Sequence, residues 1–377
     1  MHYIFVTKKD KMPKIEEKED EIDSGDEALL EMLGLPASMD VKAVAENLIV
    51  RADDDDDDDS VYHHATTESN EKVLRQLDQR DIPSIIDSSD LRKDYRTWSV
   101  CRFPSPLSIP ATLMRRLTDE LVWGGDNIQA DKTYETISVL KNGELRERRT
   151  LTRLENFVDH HPGWSHLCHT YLRRCISELM GEEMVLFKEK LNLKPPGGSG
   201  FAPHLDGPSL RVAIAPSSVD SDTEKNNLAP KSFVTVMVAI DDMNSQNGCL
   251  RIVKGPWSEH NTCEVIVPEE GANPDAGGRA GAIPAEVADS LTFEDMPCSG
   301  GSIVAFGEWT PHRSTSNTSL FSRRAVFLTY NPLSDGNFHK RYYEKMNAMR
   351  EEWRTKIGLT NKQDYENDLN ALATVPK

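Results

Sequence analysis

The arrangement of apolar and polar positions predicts helices in the first part of the folded region, up to about residue 181. Pro110 begins a predicted helix that runs to about Val122, with leucines repeating along one side. A second amphipathic helix is predicted from Leu167 to Met180, and Gly181 is placed to end it.

After residue 183 the pattern changes to short runs of β-branched and aromatic residues separated by Gly, Pro and Asn, which predict strands. An earlier strand is predicted over 98–103, and Asn142-Gly143 indicates a β-hairpin. This order favours an α+β, mainly β fold in which the strands form a barrel or sandwich. The later predicted strands are 185–192, 233–240, 249–253, 301–306 and 324–330.

Two long stretches without clear periodicity, roughly 211–231 and 258–298, interrupt the predicted strands. Loops of this length in a compact domain are usually functional lids or insertions. We therefore expect both stretches to influence access to a site.

The first 92 residues have the composition of a solvated tail. Residues 1–60 contain seven basic and nineteen acidic side chains, so they hold −12 of the net charge of −18. Asp53 to Asp59 is an unbroken acidic run. Because such segments repel themselves and have little to bury, we expect residues 1–92 to be a disordered acidic tail whose partner is unknown. Residues 93–377 are then the folded domain.

Composition excludes several classes of protein. The net charge of −18 argues against binding to a nucleic-acid backbone. No apolar run approaches the roughly 20 residues needed to cross a bilayer. The six cysteines form no C-x-x-C pair, and the N-terminus has no export signal, which favours reduced thiols. The sequence thus predicts an intracellular, cytoplasmic protein.

Candidate metal ligands occur in the second half of the chain. In an extended segment, His204 and Asp206 project from the same face and can reach one ion. His312 follows the predicted strand 301–306, which a barrel would bring opposite His204. Two imidazoles and one carboxylate are typical of non-haem Fe(II) oxygenases. A structural zinc site would fill four positions, usually with thiolates, and no cysteine adjoins either histidine.

With its surrounding motifs, this His-x-Asp pair resembles the phytanoyl-CoA dioxygenase family of Fe(II)- and 2-oxoglutarate-dependent oxygenases, over roughly residues 93–350. The resemblance implies a double-stranded β-helix core of the jelly-roll or cupin type, with flanking N-terminal helices and a C-terminal helix. It also implies that His204, Asp206 and His312 bind iron, with 2-oxoglutarate and O₂ as co-substrates. The motifs are Lys194-Pro195-Pro196-Gly197, His204-x-Asp206, 235–242, 247–251, His312-x-Ser314 and Arg323.

A cation is needed for the distal carboxylate of 2-oxoglutarate, and an arginine suits a carboxylate bidentately. Arg323 and Arg324 both begin the last predicted strand, and alternation alone does not choose between them. The resemblance selects Arg323, eleven residues after His312, and Ser314, two residues after that histidine. Lys194 is a further candidate, as a carboxylate or substrate contact.

The resemblance implies an enzyme that hydroxylates a small metabolite and releases succinate and CO₂. Oxidative cyclisation and desaturation are other outcomes of the same chemistry. The alternative is a catalytically silent protein of the same fold that acts as a scaffold through its acidic tail. The presence of all three ligand positions and Arg323 favours the enzyme. The substrate stays open among coenzyme A thioesters, amino-acid derivatives and specialised metabolites.

Overall fold

The computed structural model describes residues 59–124, 128–141, 144–208, 230–261 and 281–356. These residues divide into two units. One unit consists of the described residues of 59–69 and 137–148. The other consists of the described residues from 70 onward outside that hairpin segment, and it contains every candidate site residue. None of the helices within the described ranges is both long and apolar enough to span a membrane.

Most of the helices precede the main strands, one lies among them and one follows them. A π-helical turn, Leu167–Leu172, joins α5 to α6. The α-helices of the described residues are α1 (Asp59–Asp78), α2 (Ile82–Asp87), α3 (Leu91–Trp98), α4 (Ala111–Trp123), α5 (Pro162–His166), α6 (Arg173–Met180), α7 (Ala285–Ser290) and α8 (His339–Lys356).

The strands form two sheets with antiparallel pairings. The larger sheet has the order β1-β9-β6-β11-β4-β3-β2, and the smaller has the order β5-β10-β7-β8. The strands are β1 (Val100–Arg102), β2 (Asp131–Lys141), β3 (Glu144–Glu155), β4 (Met184–Lys194), β5 (Phe201–His204), β6 (Val234–Ala239), β7 (Leu250–Ile252), β8 (Glu294–Asp295), β9 (Ile303–Gly307), β10 (His312–Ser314) and β11 (Arg323–Pro332).

The central strands of the larger sheet are covered on both faces. On β6, Val236 and Val238 belong to the apolar core that the helices share. Met237 and Ala239, which alternate with them, pack in a second cluster that includes Leu250 and Ile252 of β7 in the smaller sheet. Because successive side chains of a strand point to opposite faces, each central strand supplies one set of residues to the helices and another to the opposite side.

The predicted α+β class is confirmed, with N-terminal helices and a C-terminal helix, α8, but the described residues contain more α-helix than strand, so the fold is not mainly β. The helix expected from Pro110 is α4. The helix expected to end at Gly181 does so, because that glycine adopts a positive φ of 77° and closes α6. All five later strands occur within a few residues of their expected bounds.

Other expectations change. The strand expected over 98–103 is limited to β1, because Trp98 ends α3. The stretch 258–298 is not wholly irregular, since it contains α7 and the strand β8, which pairs with β7. Residues 211–229 and 262–280 of the two expected loops lie outside the described residues, as does the Asn142-Gly143 turn between β2 and β3.

The folded region starts well before the expected boundary at residue 93. Leu77, Ile82, Ile86 and Leu91 are each at most 3% exposed and belong to the main core cluster. The high charge of residues 1–60 obscured this helical pattern, in which apolar residues recur every three or four positions from residue 70 onward. Residues 1–58 of the expected tail lie outside the described residues.

This packing predicts that the region before residue 93 stabilises the domain. Leu77→Ala removes a side chain that is 1% exposed and should lower the free energy of unfolding by about 2–5 kcal/mol. Gln76→Ala, at the exposed neighbouring position, should change it by less than about 0.5 kcal/mol. Urea denaturation followed by circular dichroism measures both, and equal small effects would contradict the packing of α1 in the core.

Candidate metal centre and active-site cleft

Antiparallel pairing brings the two candidate histidines together. His204 ends β5 and His312 begins β10, and the two residues are direct cross-strand partners. Their ring centroids are 4.2 Å apart. Asp206 reaches them differently from the expected alternation, because the strand ends at His204 and Asp206 begins a helical turn.

The three side chains present one ligand atom each to a common point. The Nε2 atoms of His204 and His312 lie 3.9 Å and 3.8 Å from Asp206 Oδ1. All three ligand atoms are within 4.8 Å of one another. No other group of three or more His, Cys, Asp or Glu residues with this geometry occurs in the part of the chain that the structure describes.

Hydrogen bonds orient these ligand atoms from behind. Each imidazole has its Nδ1 next to a backbone carbonyl, at 2.8 Å for His204 with Ala202 and 2.9 Å for His312 with Thr310. An Nδ1–H that donates there leaves the Nε2 lone pair available to an ion. The Thr235 hydroxyl donates to Asp206 Oδ2 at 2.8 Å, which leaves Oδ1 directed at the histidines.

The charge state of Asp206 suits a ligand role. Burial alone would raise its pKa, but the imidazoles of His312 and His204 and the ammonium groups of Lys188 and Lys190 hold the pKa of Asp206 well below its usual range. The carboxylate is therefore ionised at neutral pH. Two imidazoles and one carboxylate match the donor set of non-haem Fe(II) centres, so these residues fit that metal.

The three ligands lie in a cleft between the two sheets. The cleft encloses about 630 Å³, part of which is open to solvent. Its wall combines basic, polar and apolar side chains: Lys188, Lys190, Asn192, Phe201, His204, Asp206, Thr235, Leu250, His312, Arg313, Ser314, Arg323, Phe327 and Thr329.

Arg323 is a buried cation in this wall. Its side chain donates to the backbone oxygens of Gly248 and, at 3.4 Å, Asn247. Within the described ranges it forms no ion pair with a carboxylate, and burial lowers its pKa to about 10. Gly248 has a positive φ of 68°, and a Cβ there would lie 2.3 Å from the Thr315 oxygen. The glycine is thus required for the close approach that positions its carbonyl beside Arg323.

Arg324 points to the other face of the sheet, where it is fully engaged. Its guanidinium bonds both oxygens of Asp241, at 2.8 Å and 2.9 Å, and Asp119 of α4 at 2.5 Å. Alternation along the sequence left the choice between Arg323 and Arg324 open, and the fold decides it. Arg323 faces the cleft, and Arg324 joins the sheet to a helix.

Ser314 lies in the cleft wall with Lys194 behind it. The Lys194 ammonium donates to Ser314 Oγ at 2.9 Å and to the Thr315 oxygen at 2.6 Å. Phe201 N–H also donates to Ser314 Oγ, so among the described residues this hydroxyl accepts twice and donates to none. Lys194, the candidate substrate contact, has its side chain directed toward these atoms and is not among the residues of the cleft wall.

Burial changes the chemistry of Lys194. It is 4% exposed and is the cross-strand partner of Arg323. Desolvation, together with the charge of Arg323, lowers the pKa of Lys194 to about 7. Two adjacent cations are thus held in a desolvated region next to the cleft.

Nine residues of the cleft wall were not assigned to the site by sequence reasoning, among them Lys188, Lys190, Asn192 and Thr235. Lys188, Lys190 and Asn192 occupy alternate positions of a strand that was itself predicted, so a period of two was the available signal. Thr235 belongs to the 235–242 motif, but only the fold shows that β6 brings its hydroxyl to Asp206. Asn192 is 7% exposed, and its Oδ1 has no hydrogen-bond partner among the described residues, so a water or a polar ligand must satisfy it.

Comparison with known proteins identifies similar sequences. The profile of the family described as "Phytanoyl-CoA dioxygenase (PhyH)" matches residues 114–325. A 2-aminoethylphosphonate dioxygenase from uncultured bacterium HF130_AEPn_1 is 38% identical over 214 residues, which are 56% of this chain and 69% of that protein. A methylphosphonate hydroxylase from Gimesia maris is 30% identical over 169 residues. The matched residues are 45% of this chain and 54% of that protein.

A solved structure is also similar. The crystal structure of EctD from S. alaskensis with bound Fe shares 18% sequence identity with this chain and has a TM-score of 0.44. The match covers 65% of this chain and 76% of that protein.

The two neighbouring arginines should differ in their effect on stability. Arg324→Met leaves Asp241 without its buried partner and should lower the free energy of unfolding by about 3 kcal/mol. Arg323→Met removes a desolvated cation that has no carboxylate partner among the described residues, so stability should change by less than about 1 kcal/mol or increase. Chemical denaturation of the two variants measures this contrast, and a larger loss for Arg323→Met would show that the two faces are exchanged.

Proposed function

This chain belongs to the phytanoyl-CoA dioxygenase family, and on that premise we propose that it hydroxylates a C–H bond of a small organophosphonate. It is an Fe(II)- and 2-oxoglutarate-dependent dioxygenase, which also uses O₂. The observation that carries the proposal is the convergence of His204, Asp206 and His312 in a cleft that also contains a buried arginine.

The proposal includes a finer description of the fold. The two sheets that contribute to the cleft are proposed to be the two halves of a double-stranded β-helix. Their antiparallel pairings and the position of the cleft between them support this. In such an arrangement, ligands from the smaller sheet face the larger sheet that carries Thr235 and Arg323.

In the proposed mechanism, His204, Asp206 and His312 hold Fe(II). The bound iron supplies O₂ activation, coupled to oxidation of 2-oxoglutarate to succinate and CO₂, and thereby the oxidising power to break a C–H bond. Thr235 and the two backbone carbonyls keep the ligand atoms oriented through their hydrogen bonds. The side chains of Leu250 and Phe327 form an apolar part of the wall, which limits water at the reacting carbon.

The Arg323 end of the cleft is proposed to receive the distal carboxylate of 2-oxoglutarate. The guanidinium provides the charge, and the Ser314 hydroxyl retains a proton that it can donate. Lys194 is a positioning residue in this scheme, because it holds Ser314 in place and adds positive charge from behind.

The substrate class is taken from similar proteins and from the cleft. The two relatives described above are named for activity on 2-aminoethylphosphonate and methylphosphonate. Small organic anions of this kind also suit a wall with basic side chains such as Lys188, Lys190 and Arg313. Hydroxylation is proposed over cyclisation or desaturation because such a substrate has few carbons.

The function is tested by incubating the protein with Fe(II), 2-oxoglutarate, O₂ and either phosphonate. We expect succinate in step with a product heavier by one oxygen atom, as measured by mass spectrometry. Asp206→Ala should weaken Fe(II) binding by at least about tenfold and abolish both products, because one charged ligand is lost. Tight Fe(II) binding by this variant would mean that the ligands are misassigned. A native protein that binds neither iron nor 2-oxoglutarate would favour the silent scaffold.

The lowered pKa of Lys194 predicts a pH dependence of co-substrate binding. Above its pKa of about 7 this amine is mostly neutral, and an anion bound nearby favours its protonation. The affinity of the anaerobic Fe(II) enzyme for 2-oxoglutarate should therefore fall with rising pH above 7, by at most roughly tenfold per pH unit.

Calorimetry in buffers of different ionisation enthalpy measures the linked proton. We expect proton uptake on 2-oxoglutarate binding at pH 8 in the native protein and a smaller uptake in Lys194→Met. The two proteins would show the same uptake if another group were responsible.

A further inference from the structure

The side chains of β4 line the cleft along its length, between the end with Arg323 and the end with the candidate metal ligands. Lys188, Lys190 and Asn192 line the cleft from alternate positions of this strand. Their cross-strand partners on β11 are Thr329, Phe327 and Ala325, in that order, and Lys194 is the partner of Arg323. The strand register therefore gives each basic side chain a defined position relative to Arg323.

Lys188 and Lys190 are distant from the arginine end. Alternate residues of a strand are separated by ~6.6 Å, so Lys190 is ~13 Å and Lys188 ~20 Å along the strand from the row that contains Arg323. The row of Lys188 and Thr329 continues to Thr235 of β6, whose hydroxyl bonds Asp206. The two lysines thus belong to the metal-ligand end of the cleft, and a dicarboxylate held by Arg323 leaves them to another ligand.

The charge balance of the cleft favours an anion there. Its wall contains four basic side chains, Lys188, Lys190, Arg313 and Arg323, and one carboxylate, Asp206. A divalent metal and doubly charged 2-oxoglutarate cancel each other's charge, so they leave this excess of positive charge unchanged. The excess is local, because the whole chain has a net charge of −18.

Neighbouring residues hold the lysines in place. Lys188 lies 5.8 Å from the centre of the Tyr342 ring, and Lys190 lies 5.8 Å from that of Phe201. Glu155 is the cross-strand partner of Lys190, but it also accepts from Arg350 at 3.0 Å. Glu155 therefore shares its negative charge between Lys190 and a second cation, Arg350.

We propose that Lys188 and Lys190 form the subsite for the anionic group of the substrate and determine its preference for a phosphonate. This inference rests on the proposed function. Two ammonium groups can share the three oxygens of a phosphonyl group, whereas a carboxylate has fewer oxygens and a single negative charge. Binding at these lysines holds the carbon next to phosphorus on the metal-ligand side of the cleft.

The test measures binding, with methylphosphonate as the probe and the anaerobic Fe(II)–2-oxoglutarate enzyme as the receptor. Isothermal calorimetry on Lys188→Met and Lys190→Met should show methylphosphonate binding weakened by at least about tenfold in each, and more in the double variant. Affinity for 2-oxoglutarate should stay within about threefold. Lys93→Met, at an exposed position on α3, should bind both ligands like the native protein.

Selectivity and charge rescue complete the test. The native enzyme should bind methylphosphonate more tightly than acetate, and the double variant should lose this preference. Replacement of both lysines by arginine should restore most of the affinity. Unchanged methylphosphonate binding in the double variant would overturn the proposal, as would a native enzyme that binds 2-oxoglutarate but no methylphosphonate. A native protein that fails to bind 2-oxoglutarate would instead refute the proposed function itself.

Discussion

The pairing of β5 with β10 is the constraint on which the candidate site depends. These strands are short, four and three residues, yet their register makes His204 and His312 direct partners. A shift by one residue would send one imidazole to the opposite face of the smaller sheet. Pairing of β10 with β7 on its other side, with His312 opposite Ile252, secures that register. The geometry of the candidate metal ligands His204 and His312 is thus a consequence of backbone hydrogen bonds in a small sheet.

The larger sheet separates stability from chemistry by the alternation of its side chains. On β11, Val326 and Leu328 pack in the helical core, whereas Arg323 and Phe327 line the cleft. The side chains of β4 alternate in the same way. Lys188 and Lys190 line the cleft, and Glu189 lies between them in the strand. Glu189 is fully buried and accepts hydrogen bonds from the backbone of Phe157 and Val158 and from the Tyr343 hydroxyl. These contacts fix the strand, and the strand in turn fixes the lysines.

Burial of positive charge is the energetic cost of this site. Arg323 and Lys194 are cross-strand partners, and both have pKa values lowered by desolvation. The backbone oxygens of Gly248, before β7, and Thr315, after β10, accept hydrogen bonds from these two side chains and offset part of the desolvation cost. Charges held this way are poised for an anionic ligand, because the ligand restores the electrostatic interactions lost on burial.

The sequence by itself determined the class of fold, the main helices and strands, and the motifs with His204, Asp206, His312 and Arg323. The elements follow from the local periodicity of apolar residues, and the motifs follow from the spacing of particular residues along the chain. Both can be read from the amino-acid sequence alone. Sequence did not reveal that the helices before residue 93 are part of the core, because the acidic charge of residues 1–60 dominated the composition there.

Only the tertiary structure decided which arginine faces the cleft, where Lys194 points and which residues accompany the metal ligands. Arg323 and Arg324 are equivalent to a periodicity argument until the helix with Asp119 is placed on one face. Thr235 is distant in sequence from Asp206 and meets it only across the two sheets. Such contacts depend on register and on packing between distant segments, and a local pattern of apolar and polar residues carries no information about either.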